Sequence, residues 1–126
     1  MGDFAIFGSG PLLIRGIIPA ANDLDILCRG AAWEQAKSIG TLRYLEEYDV
    51  TITTMCDGKL SFGTKWGIGD FDIDSLIDSA ELIDALPFVR LEHVVAYKTL
   101  RASAKDLRHI AALANSDHEY TSSGSD

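Results

Sequence analysis

The sequence is short of several things, and each shortage narrows what it can be. It has two cysteines, Cys28 and Cys56, too few for a disulfide framework and at no zinc-binding spacing. Both lie in apolar, strand-like segments, so both are expected as buried, inert thiols rather than a reactive pair. No apolar run approaches the ~18 residues of a membrane helix. The first residues carry neither the basic stretch nor the small-residue cleavage site of a secretory signal, so a cytoplasmic protein with no membrane contact is expected. Positive charge is scarce: eleven Lys and Arg against nineteen Asp and Glu give a net charge of −8. That balance argues against tight nonspecific nucleic-acid binding. The few bases do cluster late, from Lys98 to Arg108, which leaves room for a local basic patch.

What is present suits one globular domain. The chain has 126 residues, 47% of them hydrophobic and 24% charged, enough for a modest single core. Phe4-Ala5-Ile6-Phe7 reads as a buried strand ended by Gly8-Ser9-Gly10. Ser9 is placed to cap a helix with Pro11 in its first turn, and an apolar face from Leu12 to Ile18 runs on to Pro19. Asp23 to Cys28 alternates polar and apolar, the pattern of a second strand. Ala31 to Leu45 reads as a helix, interrupted near Gly40. Asp49 to Cys56 is rich in Thr, Val and Ile, hence a strand. Asp57-Gly58 is a hairpin turn, with Lys59 to Lys65 returning and Trp66 to Gly69 ending the strand.

Further on, Leu76, Ile77, Ala80, Ile83 and Leu86 recur at helical spacing, predicting a helix over Asp74 to Leu86, stopped by Pro87. Leu91 to Arg101 is a second helix. Ser103 is placed to cap a third, Ala104 to Ala114. Residues 115–126 are polar and end in "SSGSD", so a disordered tail is expected after a domain of residues 1–114. The order of elements is that of an α+β domain: a mixed β-sheet with helices packed on it and a helical C-terminal half.

Two short stretches carry the chemistry. A glycine turn entering a helix leaves backbone N–H groups free at a positive dipole end, which can cradle a phosphate, and Ser9 adds a hydroxyl. Its ordinary reading is a tight turn with an N-cap. Asp23 and Asp25 are two strand positions apart, about 6.5–7 Å between Cα atoms, on one face. Carboxylates so placed repel unless a cation lies between them, and Mg²⁺ bridges carboxylates to substrate phosphates. Their ordinary reading is a solvated strand face. Together, the turn and the acids lie at neighbouring strand ends, the arrangement of phosphoryl or nucleotidyl transfer.

At Gly8-Ser9 and Asp23-x-Asp25 the sequence resembles the DNA polymerase beta-like nucleotidyltransferase superfamily, in its small single-domain bacterial form. The resemblance continues from Trp66 into an apolar "LPFV" segment, a lysine-bearing helix and a Lys-Asp-hydrophobic helix. Lys98, Lys105 and Asp106 match that pattern. The resemblance implies a nucleotidyltransferase fold and transfer of a nucleoside monophosphate from a nucleoside triphosphate to an acceptor hydroxyl. It implies catalytic, Mg²⁺-holding Asp23 and Asp25. Gly8 and Ser9 would contact the β- and γ-phosphates, and Lys98 or Lys105 would neutralise phosphate charge. The alternative for both lysines is a solvated helix face.

The family normally adds a third carboxylate from a central strand. Here the return strand "KLSFG" offers Ser61 at that place, and Asp72 or Asp74 is a more distant substitute, whose ordinary reading is an acid-rich helix start. Relatives often carry Arg two residues before the Lys-Asp pair, where this chain has Ser103; Arg101 is offset. His93 and His109 read as surface or core-rim residues. Trp66 can stack a base, with edge packing as its ordinary role. The leading expectation is a small nucleotidyltransferase whose acceptor is a small molecule, an RNA end or a protein hydroxyl. The other is a degenerate member that binds without turnover. By resemblance, a protein partner in a toxin–antitoxin or phage-defence pair fits either.

Overall fold

A computed structural model describes residues 2–21, 23–65 and 71–124. Asn22 and the segment Trp66–Asp70 lie outside the described residues, and with them the expected strand end and the base-stacking role of Trp66. Among the described residues the chain forms seven strands and five helices. In order they are β1 (Phe4–Phe7), α1 (Gly10–Ile14), β2 (Leu24–Cys28), α2 (Gly30–Ile39), β3 (Thr41–Leu45), β4 (Val50–Met55), β5 (Leu60–Gly63), α3 (Ile73–Asp78), β6 (Glu81–Ile83), β7 (Leu86–Phe88), α4 (Leu91–Arg101) and α5 (Ala104–Gly124). No helix among the described residues is long and apolar enough to cross a membrane.

The strands make one mixed sheet in the order β3-β4-β5-β2-β1-β7-β6. The two central strands, β1 and β2, are antiparallel, while β2 runs parallel to β5 and β1 parallel to β7. Alternation along each strand gives the sheet two apolar faces. On one, Ala5, Phe7 and Leu27 join Leu76 and Ile77 of α3, Val89, and Val94 and Tyr97 of α4 in the buried core. On the other, α1 and α2 lie over Ile6, Leu24, Phe4, Cys28 and Phe62. The expected α+β class and mixed sheet are therefore present.

Several expected elements differ. α1 stops at Ile14 rather than running on to Pro19, and Gly16 beyond it is left-handed at φ 73°. α2 ends at Ile39, and Thr41–Leu45 is a strand rather than the end of a helix. A Cβ at Gly40 would lie 2.2 Å from Thr53 Cγ2, so the chain passes hard against β4 there. It leaves the helix extended and then pairs with β4 from Thr41↔Thr54 to Leu45↔Val50. The helix expected over Asp74 to Leu86 stops at Asp78. Asp84 and Ala85 take left-handed φ values of 52° and 68°, making the two-residue turn of a β6–β7 hairpin. The apolar spacing was helical, but β7 gains a parallel partner in β1, at Ile6↔Phe88. α5 begins at Ala104 as expected and continues to Gly124 rather than ending at Ala114. Cys28 is buried, but Cys56 is exposed, in the left-handed turn Cys56-Asp57-Gly58.

Candidate functional site

The site grows out of one row of residues across the sheet. Asp25 on β2 pairs in register with Ser61 on β5, and Ser61 pairs with Thr54 on β4. All three point to the same face and line a cleft of about 260 Å³. Ile52 and Arg43, paired with each other on β4 and β3, extend the floor. The walls come from Ser9 at the start of α1, Asp23 just before β2, Tyr48, Tyr97 and Arg101 of α4, and Lys105 of α5.

Gly8 is required by close approach. It sits at φ 62°, and a Cβ there would lie 2.7 Å from Asp25 Oδ2. Only glycine suits both the left-handed backbone and the carboxylate against it. Burial, reinforced by the neighbouring Asp23, pushes Asp25 up to about 6, against the pull of Arg101, Lys105 and Lys98. Asp23 is more open, and Lys105 Nζ lies 3.5 Å from its Oδ1.

Ser9 does not cap α1 with its side chain. Its backbone carbonyl accepts from Leu12 and Leu13 instead, at 3.1 and 3.0 Å. The buried hydroxyl faces α4 and α5, 3.5 Å from Lys98 Nζ and 3.4 Å from His109 Nδ1. Lys98 is not on a solvated helix face: its side chain is 1% exposed. It donates toward Asp106 Oδ1 at 3.4 Å and has His109 Nδ1 at 3.1 Å. Burial lowers its pKa, and Asp106 partly restores it. Lys98 thus backs the cleft through Ser9, while Lys105 lines it.

Asp106 ties the helices to the site. Its side chain is fully buried. Arg101 donates to both carboxylate oxygens at 2.6 Å, the bidentate geometry that suits a guanidinium. The Ser103 hydroxyl donates to Asp106 at 2.7 Å and accepts its backbone N–H at 3.1 Å, and the Ser103 N–H reaches back to the carboxylate at 3.2 Å. This is a capping box with Asp at its third position. Burial works to raise the Asp106 pKa, but the Arg101 and Ser103 hydrogen bonds overcome it and hold the carboxyl well below the usual range. The guanidinium of Arg101 lies 5.0 Å over the Tyr97 ring, and Tyr97 packs on Phe7 at 4.7 Å.

The structure therefore brings Gly8, Ser9, Asp23, Asp25 and Lys105 together, with Lys98 one layer behind. Ser61 stands beside Asp25, and among the described residues no group of three or more His, Cys, Asp or Glu is placed to share a metal ion. Asp72 is the N-cap of α3, accepting from the Asp74 N–H at 3.1 Å, and Asp74 pairs with Arg29 at 2.7 Å; neither lines the cleft. Several participants were not evident from the sequence, Thr54 and Tyr97 among them. Arg43 belongs to a strand read as helix, Tyr48 to the turn after it, and His109 had only its helix spacing to recommend it. Arg101, offset in sequence, reaches the cleft because α4 ends there. Comparison with known protein families, curated proteins and solved structures gives no match to this chain.

Proposed function

We propose that the protein is a nucleotidyltransferase-like protein with the corresponding fold, which binds a nucleoside triphosphate in this cleft and transfers its nucleoside monophosphate to an acceptor hydroxyl. The observation that carries the reading is Gly8 packed on Asp25 Oδ2. It joins the glycine-serine turn and the two acids into one site. Asp23 and Asp25 offer only oxygen donors, the set Mg²⁺ prefers, and Asp25 is a buried carboxylate beside a second one, an arrangement that a divalent cation relieves. When bound, Mg²⁺ would neutralise phosphate charge and help orient the triphosphate.

The chain's own residues do the rest. Ser9 offers a hydroxyl at the turn. Arg101 and Lys105 place cations along the wall, where they favour charge developing on the transferred phosphoryl group. Incubation with Mg²⁺, each labelled nucleoside triphosphate and cell extract tests the reading. Transfer lost in Asp23→Ala and Asp25→Ala is expected. Binding without transfer for all four nucleotides overturns the enzyme.

A second reading has its own observation, Ser61 in register with Asp25 where the resemblance implies an acid. On that reading the cleft binds nucleotide without turnover, in a protein that works through a partner. Ser61→Asp separates the two: a gain of transfer in the variant over a silent parent favours the binding module.

A further inference from the structure

Behind the cleft, Lys98, Asp106, His109 and Ser9 form one largely buried polar cluster. Lys98 has three N–H donors and three neighbours that accept: Asp106 Oδ1 at 3.4 Å, Ser9 Oγ at 3.5 Å and His109 Nδ1 at 3.1 Å. A neutral imidazole nitrogen carries a single lone pair. Lys98 is nearer to it than Ser9 Oγ, which lies at 3.4 Å. With that lone pair taken by Lys98, and the Ser9 oxygen accepting a further N–H from Lys98, the hydroxyl hydrogen of Ser9 is left over. Ser9 also lines the cleft. Its hydrogen therefore has one productive direction, outward.

We propose that His109, accepting at Nδ1, acts with Lys98 to position the Ser9 hydroxyl as a hydrogen-bond donor into the cleft, toward an anionic phosphate oxygen. His109 is a positioning residue: it reaches a ligand only through Ser9. Burial, and then Lys98 and Lys105, lower its pKa and keep the imidazole neutral, as acceptance at Nδ1 requires. If His109 carried a hydrogen on Nδ1, as the other neutral tautomer or as imidazolium, it would donate to Ser9 instead, and as imidazolium it would also set a second cation against the Lys98 ammonium. The inference rests on the nucleotide reading for its ligand, but the network itself is tested without one.

Two measurements decide it. Ring ¹⁵N spectra of the wild-type protein at neutral pH are expected to show His109 unprotonated at Nδ1 and protonated at Nε2. A protonated Nδ1 overturns the inference whether or not any nucleotide binds. Titration with each nucleoside triphosphate and Mg²⁺ is then made on Ser9→Ala, His109→Leu, the double variant and His109→Asn, with melting followed in parallel. Loss of one hydrogen bond to a charged group predicts weakening of about tenfold or more in Ser9→Ala and His109→Leu. The double variant is expected to bind like Ser9→Ala alone, because one residue acts through the other. His109→Asn, whose amide oxygen stands near the place of Nδ1, is expected to recover most of the affinity. Unchanged binding in His109→Leu, or losses that multiply in the double variant, overturn the inference. If the wild type binds none of the four nucleotides, the nucleotide reading has failed, and the ring spectra still decide the network.

Discussion

Asp25 is held where its charge is unwelcome. Its folded pKa of about 6 lies above the ordinary value of about 3.9. A raised folded pKa means that the group's contribution to stability is fully present below about pH 4 and is lost as the pH rises through about 6. Asp25→Asn is therefore expected to raise the melting temperature at neutral pH without Mg²⁺ and to flatten its fall between those two pH values. The same variant is expected to lose Mg²⁺-dependent stabilisation. Melting curves with and without the ion, across the pH range, check both. Gly8→Ala acts on the same contact from the other side. The left-handed φ costs about 1–2 kcal/mol for a residue with a Cβ, and Asp25 has to move. Denaturant unfolding measures the first effect, and nucleotide titration the second. Asp25, Ser9 and Gly8 were legible in the sequence because their spacing is local. His109 was not, since nothing along the chain says which turn of a helix will face a serine 100 positions away.

Among the elements, the α4–α5 junction is held by one carboxylate. Asp106 satisfies Lys98 and Arg101 together and closes the Ser103 capping box. Removing it leaves a buried cation without a partner, so Asp106→Ala is expected to cost about 3–5 kcal/mol, against about 1 kcal/mol for Ser103→Ala. Its pH dependence has the opposite sign to that of Asp25. A depressed folded pKa gives stability present above about pH 4 and lost as the pH falls further. Equilibrium unfolding of the two variants below neutrality separates these slopes. The β6–β7 hairpin offers a gain instead. Ala85 pays for a left-handed φ of 68°, so Ala85→Gly is expected to stabilise by roughly 0.5–1 kcal/mol, read from the denaturant midpoint. This hairpin shows where sequence periodicity ran out. Leu76, Ile77, Ala80, Ile83 and Leu86 fit a helix as well as they fit a short helix and two strands. The choice was made by pairing of Phe88 with Ile6, far away in sequence. Thr41–Leu45 was likewise decided by β4, while β1, β2, the Asp57-Gly58 turn and α4 carried their own local instructions.

At the scale of the whole molecule, a chain of net charge −8 lines its cleft with Arg43, Arg101 and Lys105. Salt screens both fields, with opposite consequences. Self-repulsion across the surface weakens, so the melting temperature is expected to rise with moderate salt. Attraction for a polyanionic ligand also weakens, so the nucleotide dissociation constant is expected to rise over the same range. Calorimetry and titration in matched buffers check the pair; parallel movement of stability and affinity contradicts it. The placement of β1 has a further consequence, in the order of synthesis. β1 lies mid-sheet, and its parallel neighbour β7 emerges only after six other strands and helices have been made between them beyond β2. Ser9 waits longer still, for Lys98 and then His109. A nascent chain on the ribosome can pair Asp25 of β2 with Ser61 of β5 early, yet its serine stays unheld until α5 docks. The cleft is thus finished only once α5 has been made, and a chain cut short before α5 carries the acids without the completed turn.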